Sequence, residues 1–182
     1  MRVEAMGLAW IMSAPDASLA GAVGRLKTAG SGAGDIIAGL LADAMTADEW
    51  GRLIDELEGS EDLPDDYMLE LFYCWLEEWS GKPATAVLGL CQILVENWGM
   101  VRGKLVLAGI PDPVRQVPLI ALLDAVEVMV RETHKDEKES QRFTRELYKP
   151  RAKRGAAGGT SHKGFSREEL EAQARALSAI TG

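Results

Sequence analysis

The chain has 182 residues, with 20 Lys+Arg against 28 Asp+Glu, a formal net charge of −8, 47% hydrophobic and 26% charged residues. These are ordinary values for a globular chain able to close one substantial core. They exclude a collagen, a wholly disordered polymer and a disulfide mini-protein; the only two cysteines, Cys74 and Cys91, both fall inside apolar helical patterns and read as small buried hydrophobes.

No apolar run approaches the roughly 18 residues that cross a bilayer. The first 12 residues are only mildly apolar and carry Glu4, which makes a poor signal peptide. The expectation is a cytoplasmic protein with no membrane contact. Charge is uneven. Residues 1–60 carry 4 basic and 9 acidic groups, residues 61–100 carry 1 and 8, residues 101–148 balance at 8 and 8, and residues 149–165 carry 5 basic groups and no acid. An acidic body therefore precedes a short basic, Gly-rich stretch. A solvated, solubilising face is the plain reading of the acid; the sharper one is a rim around a partner-binding surface.

Residues 1–34 form a Gly/Ala-rich segment. It carries one weak helix over about residues 16–28, followed by a glycine-rich break at 29–34. A short apolar helix over 35–45 follows. Thr46 and Glu49 have capping-box spacing ahead of a helix that shows Trp50, Leu53, Ile54 and Leu57 on one face. Pro64, Asp65 and Asp66 suit the first turn of the next helix, where carboxylates meet the positive end of the dipole. That helix aligns Tyr67, Met68, Leu71, Phe72, Trp75, Leu76 and Trp79 in one stripe, the clearest amphipathic pattern in the chain. After Ser80, Gly81, Lys82 and Pro83 comes a stretch over 84–98 that is apolar nearly all round, the mark of a helix in the middle of a bundle. Gly99 suggests a bend, and 110–113, with two prolines, a firm stop.

From Pro118 to about Tyr148 the pattern stays helical without a breaker, and 31 residues would span about 46 Å. Its first half is apolar and its second almost wholly charged, so a projecting helix is expected, with Phe143, Leu147 and Tyr148 the only large apolar groups on its far end. Residues 149–165 read as a linker. Ser166 and Glu169 then form a second capping box, Phe165 can staple onto Leu170, and Leu170, Ala174 and Leu177 stripe a short C-terminal helix that needs a surface to lie on. No run alternates with period 2 over a useful length. The expected architecture is all-α: a compact helical bundle over 35–148 ending in a long projecting helix, a basic linker, and a tethered C-terminal helix over 166–182.

Chemistry is sparse. His134 and His162 stand apart, without the clustered His, Cys and acid that metal ligation needs. The glycines of 29–34 lack the Lys-Ser/Thr of a phosphate loop. Asp65/Asp66 and Glu77/Glu78 are neighbours on helices, where side chains diverge by about 100° and cannot converge on one substrate atom. No nucleophile elbow is present. No catalytic residue, cofactor or metal is therefore expected. The cations Lys149, Arg151, Lys153, Arg154 and Lys163 could contact phosphates, but no interleaved aromatic accompanies them and the acidic body would repel nucleic acid. The tryptophan stripe either closes the core or forms an open groove for an apolar helix of a partner. In the second reading the contact residues are Tyr67, Leu71, Trp75, Leu76, Trp79, Trp98 and Met100, and methionine lends the groove adaptability.

Several stretches resemble the tail assembly chaperones of actinobacterial long-tailed phages. They are Leu71-Phe72-Tyr73-Cys74-Trp75-Leu76-Glu77-Glu78-Trp79, then Gly81-Lys82-Pro83, then Glu96-Asn97-Trp98-Gly99-Met100-Val101-Arg102-Gly103-Lys104-Leu105, the stop at Ala108-Gly109-Ile110-Pro111-Asp112-Pro113, and Leu147-Tyr148-Lys149-Pro150. The resemblance covers about residues 65–150. It implies a small helical body with a polar extension and a non-enzymatic role in the host cell cytoplasm. There it would coat the phage tape-measure protein, or another tail protein, before the tube polymerises. A homo-oligomer is compatible with this. The competing expectations are a helical virion, connector or scaffold subunit and, further off, a nucleic-acid-associated regulator.

Overall fold

The computed structural model describes residues 1–60, 63–134 and 136–149. The fold is predominantly all-α, as expected. The N-terminus departs from the reading. Strands β1 (Arg2–Ala5) and β2 (Leu8–Ile11) pair antiparallel, with Val3 opposite Trp10 and Ala5 opposite Leu8. Met6 (φ 49) and Gly7 (φ 88) form the two-residue turn, both in the left-handed region that a twisted hairpin demands. Each strand is only four residues long, too short for alternation to register in a sequence. One side buries Val3, Ala5, Trp10 and Met12.

Helices α1 (Ser18–Ala29) and α2 (Ala33–Ala44) are joined by a single 3-10 turn over Gly30–Gly32, so the glycine run makes a defined corner. Helix α3 (Ala47–Gly59) starts at Thr46, whose hydroxyl accepts from the Glu49 amide at 3.3 Å. The expected capping box is half made. The Glu49 carboxylate turns instead to Arg52 at 2.6 Å.

Helix α4 (Tyr67–Ser80) ends at Gly81, which takes the left-handed cap (φ 66). Helix α5 (Ala84–Glu96) is the central rod, touching α1, α4 and the three elements α6 (Trp98–Leu107), α8 (Leu119–Thr133) and α9 (Glu137–Leu147). Its all-round apolar sequence is what such a position requires. At Gly24 of α1, an added Cβ would lie 3.3 Å from Val95 Cγ1, so the glycine permits this close approach of α1 to α5. The bend after α5 falls at Asn97, whose amide side chain bonds the Ile93 carbonyl at 3.0 Å, while Gly99 lies inside α6. The two helices meet at 82°. A short turn of helix, α7 (Pro113–Gln116), follows the proline stop.

The long projecting helix is corrected. The helical run breaks at His134, and Asp136 caps α9 by accepting from the Glu139 amide at 2.8 Å. Helix α9 folds back, burying Phe143 and Leu147 against the core. These two residues supply the physical reason: an apolar pair one turn apart gains more by docking than a free charged helix gains from solvent. The contiguous core runs from Val3 to Leu147 and takes in the N-terminal segment. Residues 150–182, with the expected linker and C-terminal helix, lie outside the described residues. No single described helix is long and apolar enough to cross a membrane.

Candidate functional site

Most of the expected groove is interior. Tyr67, Leu71, Trp75 and Leu76 are essentially inaccessible. Two of them hold the hairpin and the residue that leads out of it. The Trp10 indole donates to the Tyr67 hydroxyl at 2.8 Å, and the Trp75 indole donates to the Ser13 carbonyl at 2.8 Å. Arg52 covers the Trp10 ring at 4.4 Å and donates to the Ala9 carbonyl. Burial pushes the Tyr67 hydroxyl pKa up, against the indole hydrogen bond that favours the anion. The stripe is thus covered from within the chain, by β1 and Trp10 of β2 together with α2 and α5, partners that sequence periodicity cannot reveal. Trp79 and Trp98 are half-buried against the core, and only Met100 is exposed.

The densest polar cluster closes the other end of the bundle. Lys82, in the turn between α4 and α5, donates to Glu127 Oε2 at 2.9 Å and to the Tyr148 hydroxyl at 2.8 Å, and pairs with Asp124 at 3.1 Å. Tyr148 donates onward to Glu127 Oε2 at 2.8 Å, and Arg131 holds the other Glu127 oxygen. Burial works against the Glu127 anion, but the Lys82 and Tyr148 hydrogen bonds and the nearby cations outweigh it and hold its pKa down. Burial likewise opposes the Lys82 charge, and the three acceptors around it drive its pKa up. The Tyr148 pKa is raised, chiefly by burial. A general base of Lys or Tyr needs the opposite direction. These groups clamp the α4–α5 turn, α8 and the end of α9 together.

Among the described residues no three His, Cys, Asp or Glu converge as metal ligands. Cys74 and Cys91 are free thiols, and burial pushes the Cys91 thiol up to about 12, which makes it unreactive. An open hollow of about 410 Å³ is lined by Arg131, Ser140, Gln141, Thr144 and Arg145. Arg131 is committed to Glu127, Gln141 to Glu137 and the Thr144 hydroxyl to the Ser140 carbonyl, which leaves little to seize a ligand.

The exposed apolar surface is elsewhere. Of nine exposed large hydrophobics among the described residues, five fall between 95 and 114: Val95, Met100, Val106, Leu107 and Val114. Helix α6 has two apolar sides. Trp98, Val101 and Leu105, three and four apart, face the core, while Met100 and Leu107, two turns apart, share the opposite side. Leu107 is 90% exposed and Met100 47%. Gly103 lies between them with open space where a Cβ would be. Arg102 and Lys104 flank this face, and Arg115 follows on α7. Met100 belonged to the sequence-derived set. Val106, Leu107 and Val114 did not; the missed signal was that α6 is apolar on both sides at a chain position next to a stop. Of the basic residues, Lys149 is exposed, its carbonyl taking a hydrogen bond from Thr85 at 3.3 Å; Arg151, Lys153, Arg154 and Lys163 lie outside the described residues.

The profile of a family of unknown function, DUF7240, matches residues 93–182, just under half of the chain, starting at the end of α5 and including all of α6 to α9. No curated protein and no solved structure matches.

Proposed function

We propose that this protein is a non-enzymatic tail assembly chaperone of a long-tailed phage, holding the tape-measure protein in the host cell cytoplasm until the tail tube encloses it. The observation that carries the reading is the outward face of α6, where Leu107 and Met100 stand in solvent although the rest of the helix already serves the core. A contact-making protein keeps such a face; a free-standing one gains nothing from it. The resemblance of residues 65–150 to these chaperones supplies the partner, a long helical protein with apolar stripes. Net charge −8 keeps a complex of this kind soluble.

Magnitudes favour transient holding. Covering Met100 and Leu107, which are 47% and 90% exposed, gains about 1–3 kcal/mol per side chain. That total is comparable to the lower estimates, about 4 kcal/mol upward, for the cost of association. Binding through this face is therefore weak and reversible, as a holdase needs and as a permanent tail subunit does not.

The test is co-expression with a tape-measure protein. The expected result is a soluble tape-measure protein that co-purifies with the chain, and loss of that capture with Leu107→Asp. Capture unaffected by Leu107→Asp removes this face from the function. Retention of the protein in purified virions points to a structural subunit instead.

A further inference from the structure

We infer that the outer edge of strand β1 is a self-association surface, which pairs antiparallel with β1 of a second copy about a two-fold axis at Val3. The product is one continuous sheet with strands in the order β2-β1-β1-β2. The inference goes beyond the reading of α6 and involves none of its residues.

The two edges of the hairpin differ. Met1 and Met12 exchange two backbone hydrogen bonds, at 2.6 and 2.9 Å. Bonded and non-bonded pairs alternate along an antiparallel ladder. Val3 with Trp10 and Ala5 with Leu8 therefore bond each other, while Arg2, Glu4, Ala9 and Ile11 direct their N–H and C=O groups out of the hairpin. On the β2 side α3 meets these groups. Arg52 donates to the Ala9 carbonyl at 2.8 Å, and the Ile11 amide donates to Glu49 Oε2 at 3.5 Å. Just past Ile11, Met12 forms a bridge with Met45. On the β1 side, among the described residues, nothing bonds the Arg2 or Glu4 backbone, and the sheet stops at two strands. An open edge of this kind is a template for another strand.

Charge selects a second copy as that strand. Val3 and Ala5 are buried, while Arg2 and Glu4 project on the solvent side, each side chain 68% exposed, and pair with each other at 3.0 Å. Outward backbone groups must meet outward groups, so only residues 2 and 4 can lie opposite one another in hydrogen-bonded positions. Centred on Val3, Arg2 of each copy faces Glu4 of the other, and each such pair exchanges two backbone hydrogen bonds. A shift by two residues sets Arg2 against Arg2 or Glu4 against Glu4, and a parallel in-register pair does both. Like charges directly opposite destabilise a ladder. The strand is its own complement in one register.

The ends of the strand agree. In that register Met1 lies opposite Ala5 of the other copy, with Met6 one residue further on. Met1 is 38% exposed and Met6 56%. Met6 also holds φ 49, a conformation that asparagine or glycine adopts at lower cost. A long apolar side chain kept in such a turn and left in water is accounted for by contact with Met1 of a second copy, made at both ends of the paired strands.

The test is sedimentation of the full chain at rising protein concentration, combined with charge exchange. The unaltered chain should pass from monomer to dimer. Arg2→Glu sets glutamates opposite each other and Glu4→Arg sets arginines, so each variant alone should dimerise about tenfold more weakly. An equimolar mixture of the two should restore a heterodimer, since every cross-strand pair is then of opposite sign. Both positions are exposed, so the circular dichroism of each variant should match that of the unaltered chain. Deuterium exchange at the Glu4 amide should slow as the dimer forms. A chain that stays monomeric at every concentration overturns the inference. So does a dimer indifferent to both charge changes, one that mixing fails to restore, or one that leaves Glu4 exchange unaltered. A dimer abolished by Leu107→Asp assigns association to α6 and also overturns it. No tape-measure protein is present, so either result leaves the co-expression outcome standing on its own.

Discussion

Helices α4 and α6 carry similar residues and do opposite things. Both present large apolar side chains at helical spacing, and both show aromatic and methionine groups. On α4 the stripe of Tyr67, Leu71, Trp75 and Leu76 is closed over by the hairpin and by α5. On α6 one apolar side is closed and the other, Met100 with Leu107, is open. The lesson is that an apolar stripe identifies a contact, and only the rest of the fold says whether the chain itself has already made it.

The largest effect that would test this contrast is Leu76→Asp. A carboxylate at a site with no solvent access has no partner, and the bundle should not fold; loss of the helical circular dichroism signal or of soluble expression reads it. Leu71→Ala is the milder version, with about 3 kcal/mol lost in denaturant unfolding. A loss under 1 kcal/mol for Leu71→Ala would mean that the stripe is looser than its burial shows.

Next comes the clamp at the other end. Lys82→Met leaves Glu127 buried without its main counter-charge and should cost about 3 kcal/mol. The same carboxylate sets an acid limit. Its folded pKa lies below the ordinary 4.5, so its stabilisation is complete above pH 4.5 and is lost as pH falls through the lower folded value. Glu127→Gln should flatten the acid limb of a stability–pH curve in that window. An unchanged acid limb would assign acid sensitivity to other carboxylates.

Trp10→Phe keeps the ring packing but removes the indole donor to Tyr67, at about 1 kcal/mol. The smallest effect on stability belongs to Leu107→Asp, within about 0.5 kcal/mol because the side chain touches little. Its effect on partner capture should be the greatest of the set. That inversion, trivial for folding and decisive for binding, is what distinguishes α6 from α4; a marked drop in stability would show that Leu107 serves the fold.

Much of this was legible beforehand. Thr46 as a cap, Gly81 as a stop and the all-round burial of α5 follow from local rules, since each is decided within a turn of helix. The break at His134 was not legible. Its neighbourhood is rich in good helix formers, and what ends the helix is the gain from docking Phe143 and Leu147 onto a core assembled from distant residues. The hairpin was missed for a related reason: Trp10 and Val3 are held by α4, 57 residues away in the case of the Trp10–Tyr67 bond.

Composition and periodicity by themselves determined that this chain is helical, which segments are apolar and where most helices start and stop, because those properties depend on neighbours in the chain. Tertiary structure alone decided which apolar stripe is spent internally and which is left facing water. Burial is a property of what arrives from elsewhere, and residues 67–76 received the hairpin while Leu107 stayed 90% exposed and Met100 about half exposed.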